Sequence, residues 1–446
     1  MAQVAAVSHA EAADVIARDA AGPVTVSRFL ADVEAVASRL PSRAFLVNLC
    51  ANRYRFAVGL VAAATRGQTS LLPPDRTPEM LRELREAHGD LYALIDAPVE
   101  ACPVQSVAFP ALPVIPASGV TARMPMFDAA QTAAIAFTSG STGKPTPHRK
   151  SWGALARGAA AEAHRFGLSD GSRATLVATV PAQHMYGLES SVLMALHGGL
   201  SLHAARPFYP GDVAATLASV PGERVLVTTP VHLRALLQEG TPLPALRLVV
   251  CATAPLSEQL AVQAEERFGA PLHEVYGFTE AGMVATRRTV ESSAWRCLRD
   301  VRLRDAGGAM RVGGGHVEVE AAFSDIIEPL GDDAFRLLGR DSDLVNIAGK
   351  RTSLGYLNHQ ISGIEGVRDA AFLLPEDDGH DVTRLTAFVH APGLTRESLL
   401  EALRQRVDAV FLPRPLYFVD ALPRNATGKL PREALIALAR RCASGN

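Results

Sequence analysis

The sequence predicts an α/β protein, and three patterns support that fold class. In the middle of the chain, short apolar runs such as "RATLVATVP", "VLVTTP" and "LRLVVCATAP" alternate with helix-like segments. This alternation is typical of parallel strands covered by helices, in a doubly wound sheet. Near residues 300–340, "GGAMRVGGGHVEVEAAF" alternates polar and apolar residues between glycine turns, which predicts small antiparallel hairpins. A smaller α+β unit follows.

The chain has 446 residues, more than one ordinary hydrophobic core covers. We expect a large N-terminal domain over residues 1–340 and a small, mobile C-terminal domain over residues 341–446. The boundary is placed near "GRDSD", after which "DAAFLLP" and "LTAFVHAP" have the character of strands. The segment "TRESLLEALRQRV" predicts a helix that begins after Thr395, with apolar residues on one face.

Two helices are predicted in the first third of the chain. Apolar residues recur at helical spacing at Phe29, Val33, Val36 and Leu40. The segment "AVGLVAAATRG" predicts a second helix that ends at Gly67, a favoured residue at a helix C-terminus. The segment "TSLLPPDR", with its two prolines, is expected to break this helix.

Composition narrows the class of function. Charged residues make up 20% of the chain, apolar residues 48%, and the formal net charge is −2. This balance favours a globular protein and gives no reason to expect a nucleic acid or a membrane as partner. The five cysteines have no paired spacing, and no apolar run approaches the ~18 residues of a membrane span. We therefore expect a cytoplasmic protein.

The stretch "FTSGSTGKP" concentrates glycine, hydroxyl side chains and a lysine behind an apolar run. Small residues let backbone N–H groups approach phosphate oxygens closely, so the loop is a candidate phosphate site. A P-loop requires glycine six residues before the lysine and Ser or Thr after it. Here Thr138 and Pro145 occupy those positions around Lys144, which argues against a P-loop phosphotransferase. A flexible turn without a ligand is the alternative.

This loop resembles the phosphate loop of the adenylate-forming superfamily, which includes acyl-CoA synthetases, aryl-acid ligases and the adenylation domains of peptide synthetases. Further matches follow along the chain in the family's order. The resemblance implies that the loop binds the β- and γ-phosphates of ATP through Thr138, Ser139, Gly140, Ser141, Thr142, Gly143 and Lys144.

Two more segments match the nucleotide site of that family. "VYGFTEAG" resembles its Y-G-x-T-E signature, which implies that Tyr276 and Gly277 lie by the adenine, Thr279 by the phosphate and Glu280 on Mg²⁺. A carboxylate oxygen is a ligand that Mg²⁺ prefers. "CATAPLS" resembles the strand end lining the adenine pocket, and the implied residues are Thr253, Ala254 and Pro255.

Ribose binding and catalysis are implied by two later matches. "FSDIIEPLGDDAFRLLGR" resembles the family's T-G-D and G-R segment, so Asp325 and Arg340 are expected on the ribose, although Phe323 and Ser324 replace the usual Thr-Gly. "LPRNATGKLPREAL" resembles the closing signature of the small domain and implies that Lys429 is the catalytic lysine. Its ammonium would neutralise charge as pyrophosphate leaves.

The remaining matches concern the acid, the hinge and the thiol. In "PAQHMYG", His184 matches a family histidine at the mouth of the acyl pocket, with an ordinary buried histidine as the alternative. Ser342 stands where many relatives have a hinge aspartate. Gly349 and Arg351 in "NIAGKR" match residues of the thiol channel, with a simple β-turn as the alternative.

The resemblance implies an AMP-forming acid–thiol ligase. ATP, with Mg²⁺, activates a small carboxylic acid to an acyl-adenylate, and the thiol of CoA or of a phosphopantetheine group then displaces AMP. No acidic residue adjoins His184, so an aryl or fatty acid is favoured over an α-amino acid. The compact chain is similar to stand-alone ligases of aryl-polyene and xanthomonadin-like pigment clusters, which implies an acyl carrier protein in trans. A nucleotide-binding regulator without turnover is the alternative of another class.

Overall fold

The computed structural model describes residues 2–73, 76–99, 102–112, 123–139, 145–169, 171–340, 344–347, 350–374, 384–425 and 428–444. Up to residue 151 these form strands β1 (Gln3–Ala5), β2 (Val15–Asp19), β3 (Gly22–Thr25), β4 (Phe45–Asn48), β5 (Thr69–Leu72), β6 (Leu91–Ile95), β7 (Ser106–Ala108), β8 (Met126–Asp128), β9 (Thr132–Ser139) and β10 (Pro145–Ser151). The helices of this part are α1 (Val26–Ala37), α2 (Arg53–Thr65) and α3 (Pro78–His88).

Residues 152–340 contain helices α4 (Trp152–Arg165), α5 (Met185–Gly187), α6 (Met194–Gly198), α7 (Pro210–Ser219), α8 (Pro230–Glu239) and α9 (Glu258–Phe268), with a π-helical segment at Leu188–Leu193. The strands are β11 (Thr175–Ala178), β12 (Ser201–His203), β13 (Arg224–Thr228), β14 (Leu248–Cys251), β15 (Leu272–Phe278), β16 (Gly282–Arg287), β17 (Ala294–Cys297), β18 (Arg302–Asp305), β19 (Met310–Gly314), β20 (Val317–Ala322), β21 (Asp325–Pro329) and β22 (Ala334–Arg340).

The last part contains β23 (Leu344–Ile347), β24 (Lys350–Ser353), α10 (Leu354–Ser362), β25 (Asp369–Leu373), β26 (Thr386–His390), α11 (Arg396–Arg404), a 3₁₀ turn at Ala409–Phe411, β27 (Leu416–Phe418) and α12 (Arg432–Ser444). Within the described residues, no helix is long and apolar enough to cross a membrane.

Two large sheets form the first 340 residues. The smaller has the order β10-β9-β5-β4-β6-β7, parallel except for the β9–β10 pair. The larger has eleven strands in the order β21-β22-β17-β16-β15-β14-β13-β11-β12-β2-β3, with parallel pairing from β15 through to β2. A separate antiparallel sheet, β18-β19-β20, confirms the predicted hairpins. The predicted α/β class is therefore confirmed.

The central parallel strands are the apolar runs that the sequence singled out. β11, β13 and β14 are buried along almost their entire length, which accounts for their lack of polar alternation. α8 begins after Thr229 with proline at its first position, and it ends at Gly240 in the left-handed region, φ +69°. Because these strands are parallel, the residues that follow them meet at one edge of the sheet, and ligands bind at that edge in such folds.

The predicted helices are confirmed, with small changes at their ends. α1 buries Phe29, Val33 and Val36, whereas Leu40 lies beyond its last residue and is still buried. α2 ends at Thr65, and Gly67 follows in the left-handed region, φ +68°. The prediction that the helix does not continue through "TSLLPPDR" is confirmed, and Thr69–Leu72 of this segment pair with β4 and β9 as strand β5.

The C-terminal unit is α+β, with the strand order β25-β26-β27 and a separate β23–β24 hairpin. α11 begins after Thr395, whose hydroxyl accepts the Ser398 N–H in a capping box. Leu399 and Leu403 are buried on one face of this helix. The domain boundary stays a prediction, since residues 341–343 lie outside the described part of the chain.

Candidate active site

The loop that carries Lys429 packs against the carboxyl edge of the large sheet. Gly428, the residue before it, is buried and has φ +79°. A Cβ atom at Gly428 would lie 3.1 Å from Cγ2 of Val231, at the start of α8, and 3.8 Å from the hydroxyl of Thr229. Only glycine accepts both this φ and this close approach without strain. The structure thus brings the loop of the predicted catalytic lysine to the end of strand β13.

The turn around Lys429 is held by hydrogen bonds to Asn425 and Arg424. The Lys429 N–H donates to Oδ1 of Asn425 at 2.9 Å, and the Asn425 N–H donates to the Lys429 carbonyl at 2.8 Å. The Arg424 guanidinium donates to the Gly428 carbonyl at 3.0 Å and forms two 2.7 Å bonds with the carboxylate of Asp369. A bidentate pair of this kind fixes orientation as well as charge.

His184 lies between β11 and α5. Burial, with a further contribution from the positive charge of Lys429, lowers the pKa of His184 to about 4. The imidazole is therefore neutral near pH 7. Its buried Nδ1 atom has no hydrogen-bond partner among the described residues, and such an atom is costly to leave unsatisfied. A bound ligand could supply the missing partner, which agrees with the predicted position at the mouth of an acyl pocket.

Tyr276 and Asp325 are joined directly. The phenol of Tyr276, on β15, donates to Oδ2 of Asp325, the first residue of β21, at 2.6 Å. The Tyr276 ring lies nearly parallel to that of Phe323, with 12° between the ring planes and 6.1 Å between centroids. Phe323 is the residue that departs from the family's pattern. Its aromatic ring packs on the predicted adenine-facing residue without displacing Asp325.

Glu280 follows β15 in a turn whose backbone is held by a buried lysine. The ammonium of the buried Lys150 donates to the Glu280 carbonyl at 2.8 Å. The Glu280 carboxylate extends outward with 42% of its side chain exposed, and Oε1 lies 3.7 Å from Nε2 of His148. No cluster of three metal-ligating side chains occurs among the described residues. One accessible carboxylate is nevertheless enough for Mg²⁺ that arrives on a nucleotide, because phosphates and waters complete its octahedron.

Two further predicted residues have constrained backbones. Thr253, directly after β14, has φ +83°, an uncommon conformation for a β-branched residue. Gly277 lies at a bulge of the β15–β16 pair, where a Cβ would be 2.4 Å from the Gly282 carbonyl oxygen. Ala254 is half-buried and Pro255 exposed at the same edge. The backbone is therefore constrained after β14 and near the end of β15, at the places predicted to receive the nucleotide.

The predicted phosphate loop joins β9 to β10. Thr138 and Ser139 end β9, and their backbones pair with Thr146 and Pro145 of β10. Gly140, Ser141, Thr142, Gly143 and Lys144 lie outside the described residues, as do Ser342 and Gly349. Arg340 pairs through its backbone with Asp325, and Arg351 with Asn346. The roles of these residues stay predictions.

Sequence reasoning missed two features of this region. One is the Asp369–Arg424 pair, because 55 residues separate its members and no local signal connects them. The other is Glu189. It is close to His184 in the sequence, but it does not stand directly after that histidine, where an acidic residue that binds the substrate is expected. The π-helical segment Leu188–Leu193 changes the direction in which its side chain points.

Comparisons with known proteins identify relatives of this chain. Residues 4–311 match the family model described as AMP-binding enzyme. The chain is 30% identical over 322 residues to a 4-coumarate–CoA ligase of Halorhodospira halophila, covering 68% of this chain and 76% of the relative. It is 28% identical over 346 residues to a 3-hydroxybenzoate–CoA/4-hydroxybenzoate–CoA ligase of Thauera aromatica, covering 67% and 65% of the two chains.

Solved structures share the fold over almost the full length. ATP-bound MatB from Rhodopseudomonas palustris superposes with a TM-score of 0.80 at 19% identity, covering 97% of both chains. The o-succinylbenzoate coenzyme A synthetase MenE from Bacillus subtilis, in complex with ATP and magnesium ion, gives a TM-score of 0.77 at 20% identity, covering 94% of this chain and 96% of the other. At this identity the likeness concerns the fold.

Proposed function

This chain belongs to the family of AMP-binding enzymes and is an AMP-forming acid–thiol ligase, and from that premise we propose that its acid is aromatic and its thiol acceptor is CoA. ATP-dependent activation gives an acyl-adenylate and pyrophosphate. Attack by the thiol sulfur on the acyl carbon then gives the thioester and releases AMP. The relatives named for 4-coumarate and hydroxybenzoate support an aryl acid over a fatty acid.

The single observation that carries the proposal is the position of Gly428 against Val231 at the edge of the sheet, from which the charge of the next residue, Lys429, acts on His184. An ammonium group at this edge of the sheet would lie between an acid bound near His184 and a nucleotide bound near the ends of β14 and β15. In-line displacement at the α-phosphate builds negative charge on its oxygens, and a positioned cation stabilises that charge. His184 stays neutral there, so it would not compete with Lys429 for the acid's carboxylate.

The nucleotide is assigned to the groups around Tyr276. We propose that Asp325, held by the Tyr276 phenol, accepts hydrogen bonds from the ribose hydroxyls. Glu280 has the hard oxygen donor and the exposure that Mg²⁺ bound to phosphate requires. When bound, that cation would neutralise phosphate charge.

The five cysteines are free thiols in the structure, which supports a reducing, cytoplasmic location.

Pyrophosphate exchange measures the first half-reaction alone and tests the proposal directly. The purified chain is incubated with ATP, Mg²⁺ and labelled pyrophosphate, and benzoates, cinnamates and fatty acids are compared. We expect exchange with at least one aryl acid. The second half-reaction is followed by mass spectrometry with CoA and, in parallel, with a phosphopantetheinylated acyl carrier protein.

Three results would change the proposal. Exchange with fatty acids alone would make the chain a fatty-acid ligase. Thioester on the carrier protein but not on CoA would assign the acceptor to a carrier in trans. Bound ATP without exchange over the whole panel would favour a nucleotide-binding regulator.

A further inference from the structure

A groove on the C-terminal unit is lined by three arginines, and the proposed reaction does not use it. It lies between α11 and the segment that leads into β27, and its cavity volume is about 190 Å³. One wall carries Arg396, Leu400 and Arg404, which stand four residues apart and therefore on one side of α11. Residues 412–416 form the other wall, which includes Arg414. Guanidinium groups thus line both walls of the groove.

The chain itself does not balance the charge of this groove. Arg396, Arg404 and Arg414 are exposed, and none of their guanidinium groups pairs with a carboxylate in the part of the chain that the structure describes. Glu397 and Glu401 also stand on α11, but each comes one position after a lining residue, about 100° around the helix axis, and neither lines the groove. A concave surface with charges of one sign attracts a partner of the opposite sign.

The size and lining of the groove favour the side chains of a protein over a small molecule. Its volume is below the roughly 300–1,000 Å³ of small-molecule pockets. Apolar residues lie among the arginines: Leu416 is buried, and Leu400 and Leu412 are half-buried. The backbone positions of Arg396 and Arg404 are about 12 Å apart along α11. A matching partner therefore has several negative charges distributed along its length and an apolar group between them.

The groove begins at the end of the β25-β26-β27 sheet that is opposite the Lys429 turn. The Arg414 N–H donates to the carbonyl of Leu385, the residue before β26, at 2.7 Å. Asp369, which supports the Lys429 turn through Arg424, pairs with the last residue of β26. The two ends of this five-residue strand are about 14 Å apart. A partner in the groove would therefore leave the turn around Lys429 undisturbed.

We propose that this groove is a docking surface for an acidic amphipathic helix of a partner protein. Carboxylates on successive turns of that helix pair with Arg396, Arg404 and Arg414, and an apolar side chain between them packs on Leu400. Residues four apart on the partner helix match the spacing on α11, whereas a flat membrane surface does not enter a concave groove. The inference goes beyond the proposed function, because the partner associates with the ligase without taking part in its reaction.

Fluorescence anisotropy with a labelled peptide and the full chain tests this surface. The peptide is a helix of about 20 residues with glutamate and leucine at alternate four-residue steps along one face. We expect saturable binding that weakens as the salt concentration rises. The triple variant Arg396→Gln/Arg404→Gln/Arg414→Gln should bind the peptide about tenfold more weakly, because three exposed ion pairs are lost. Its pyrophosphate exchange should equal that of the wild type.

Arg404→Gln and Arg406→Gln form a matched pair. Both arginines are exposed, but Nη1 of Arg406 faces away from the groove and would lie 3.1 Å from a Cβ atom at Gly363, directly after α10. Arg404→Gln should weaken peptide binding by about two- to fivefold, and Arg406→Gln should leave it unchanged. All of the substituted side chains are exposed, so the variants should keep the stability of the wild type.

A charge swap gives a second, independent readout. The triple variant Arg396→Glu/Arg404→Glu/Arg414→Glu should bind a peptide with lysine in place of each glutamate, which the wild type should not bind. Lack of binding of the acidic peptide at low salt, or equal weakening by Arg404→Gln and Arg406→Gln, would overturn the proposal. Binding of phosphatidylserine vesicles or of single-stranded RNA instead of the peptide, with loss in the triple Gln variant, would also overturn it and assign the groove to a membrane or to RNA.

Discussion

The phenol of Tyr276 donates a 2.6 Å hydrogen bond to the carboxylate of Asp325, and this bond connects strand β15 to strand β21. The two residues belong to separate sequence signatures, 49 residues apart. Phe323 covers the ring of Tyr276, which restricts the directions in which the phenol can point. The carboxylate that is expected to bind the ribose is thus oriented by the residue that is expected to face the adenine.

A double-mutant cycle tests this coupling. Tyr276→Phe keeps the ring and removes the donor, and Asp325→Asn keeps the shape and removes the charge. We expect each to raise the KM for ATP several-fold with little effect on the KM for the acid. The double variant should be less impaired than the sum of the two by about 1 kcal/mol, the usual net value of such a bond. If the free-energy losses of the two single variants, measured in pyrophosphate exchange, add up to that of the double variant, the hydrogen bond does not orient Asp325.

Removing Lys429 should affect one half-reaction. Lys429→Ala removes the cation that is expected to stabilise charge at the α-phosphate, so we predict a fall in pyrophosphate exchange of about 10²–10³-fold. Thioester formation from a supplied acyl-adenylate should stay within a few-fold of the wild type. Arg432→Ala, which removes an exposed cation three residues later, is the control and should leave both rates unchanged. Equal losses in both half-reactions of a folded Lys429 variant would contradict a role confined to adenylation.

The Asp369–Arg424 pair predicts a positioning effect on the same lysine. Arg424→Lys keeps the charge but cannot hold Asp369 bidentately and Gly428 at the same time. We expect adenylation kcat to fall by about tenfold with an unchanged KM for ATP, since misplacing a reacting group is costly while binding is untouched. Asp369→Asn should have a similar effect. A change in ATP binding with normal turnover would point instead to a role in the nucleotide site.

Arg53 is expected to dominate the stability of the large domain. It is buried on α2 and donates to the hydroxyl of Ser191 at 2.6 Å and to the carbonyls of Ala178 and Val180 at 2.9 and 2.8 Å. Arg53→Met would remove the donor of three buried acceptors, each of which costs about 1–3 kcal/mol when unsatisfied, so a loss of about 3–5 kcal/mol in the free energy of unfolding is expected.

Urea unfolding followed by fluorescence of the buried Trp152 and Trp295 measures this loss. Arg66→Met, at the exposed end of the same helix, is the control and should change stability by no more than about 0.5 kcal/mol. Equal midpoints for the two variants would mean that the three acceptors find other donors.

Local patterns in the sequence were sufficient for the elements whose conformation depends on neighbours in the chain. β11, β13 and β14 are buried apolar runs, and the hydroxyl of Thr395 caps α11, so each could be predicted from a few residues. The strands β2 and β3 could not, because β2 is fixed by its pairing with β12, nearly two hundred positions later in the chain. Pairing of that kind depends on tertiary context and leaves little local signal.

The same distinction applies to the site. Tyr276, Asp325 and Lys429 stand in motifs from which their roles could be predicted, and the structure joins Tyr276 to Asp325. The direction of Glu189 could not be predicted, because hydrogen bonds from residue i to i+5 in the π-helical segment alter the periodicity on which helical face assignments depend. The support that Asp369 gives to the Lys429 turn also requires the folded chain.

The hydrogen bonds around Gly428 have one more implication. The partners of its N–H and carbonyl groups, Asn425 and Arg424, belong to its own loop, while the Val231 side chain that faces it from α8 is apolar. Detaching the loop from α8 would therefore break none of these bonds. Lys429 could therefore leave the edge of the sheet and return while the hydrogen-bonded turn around it stays folded.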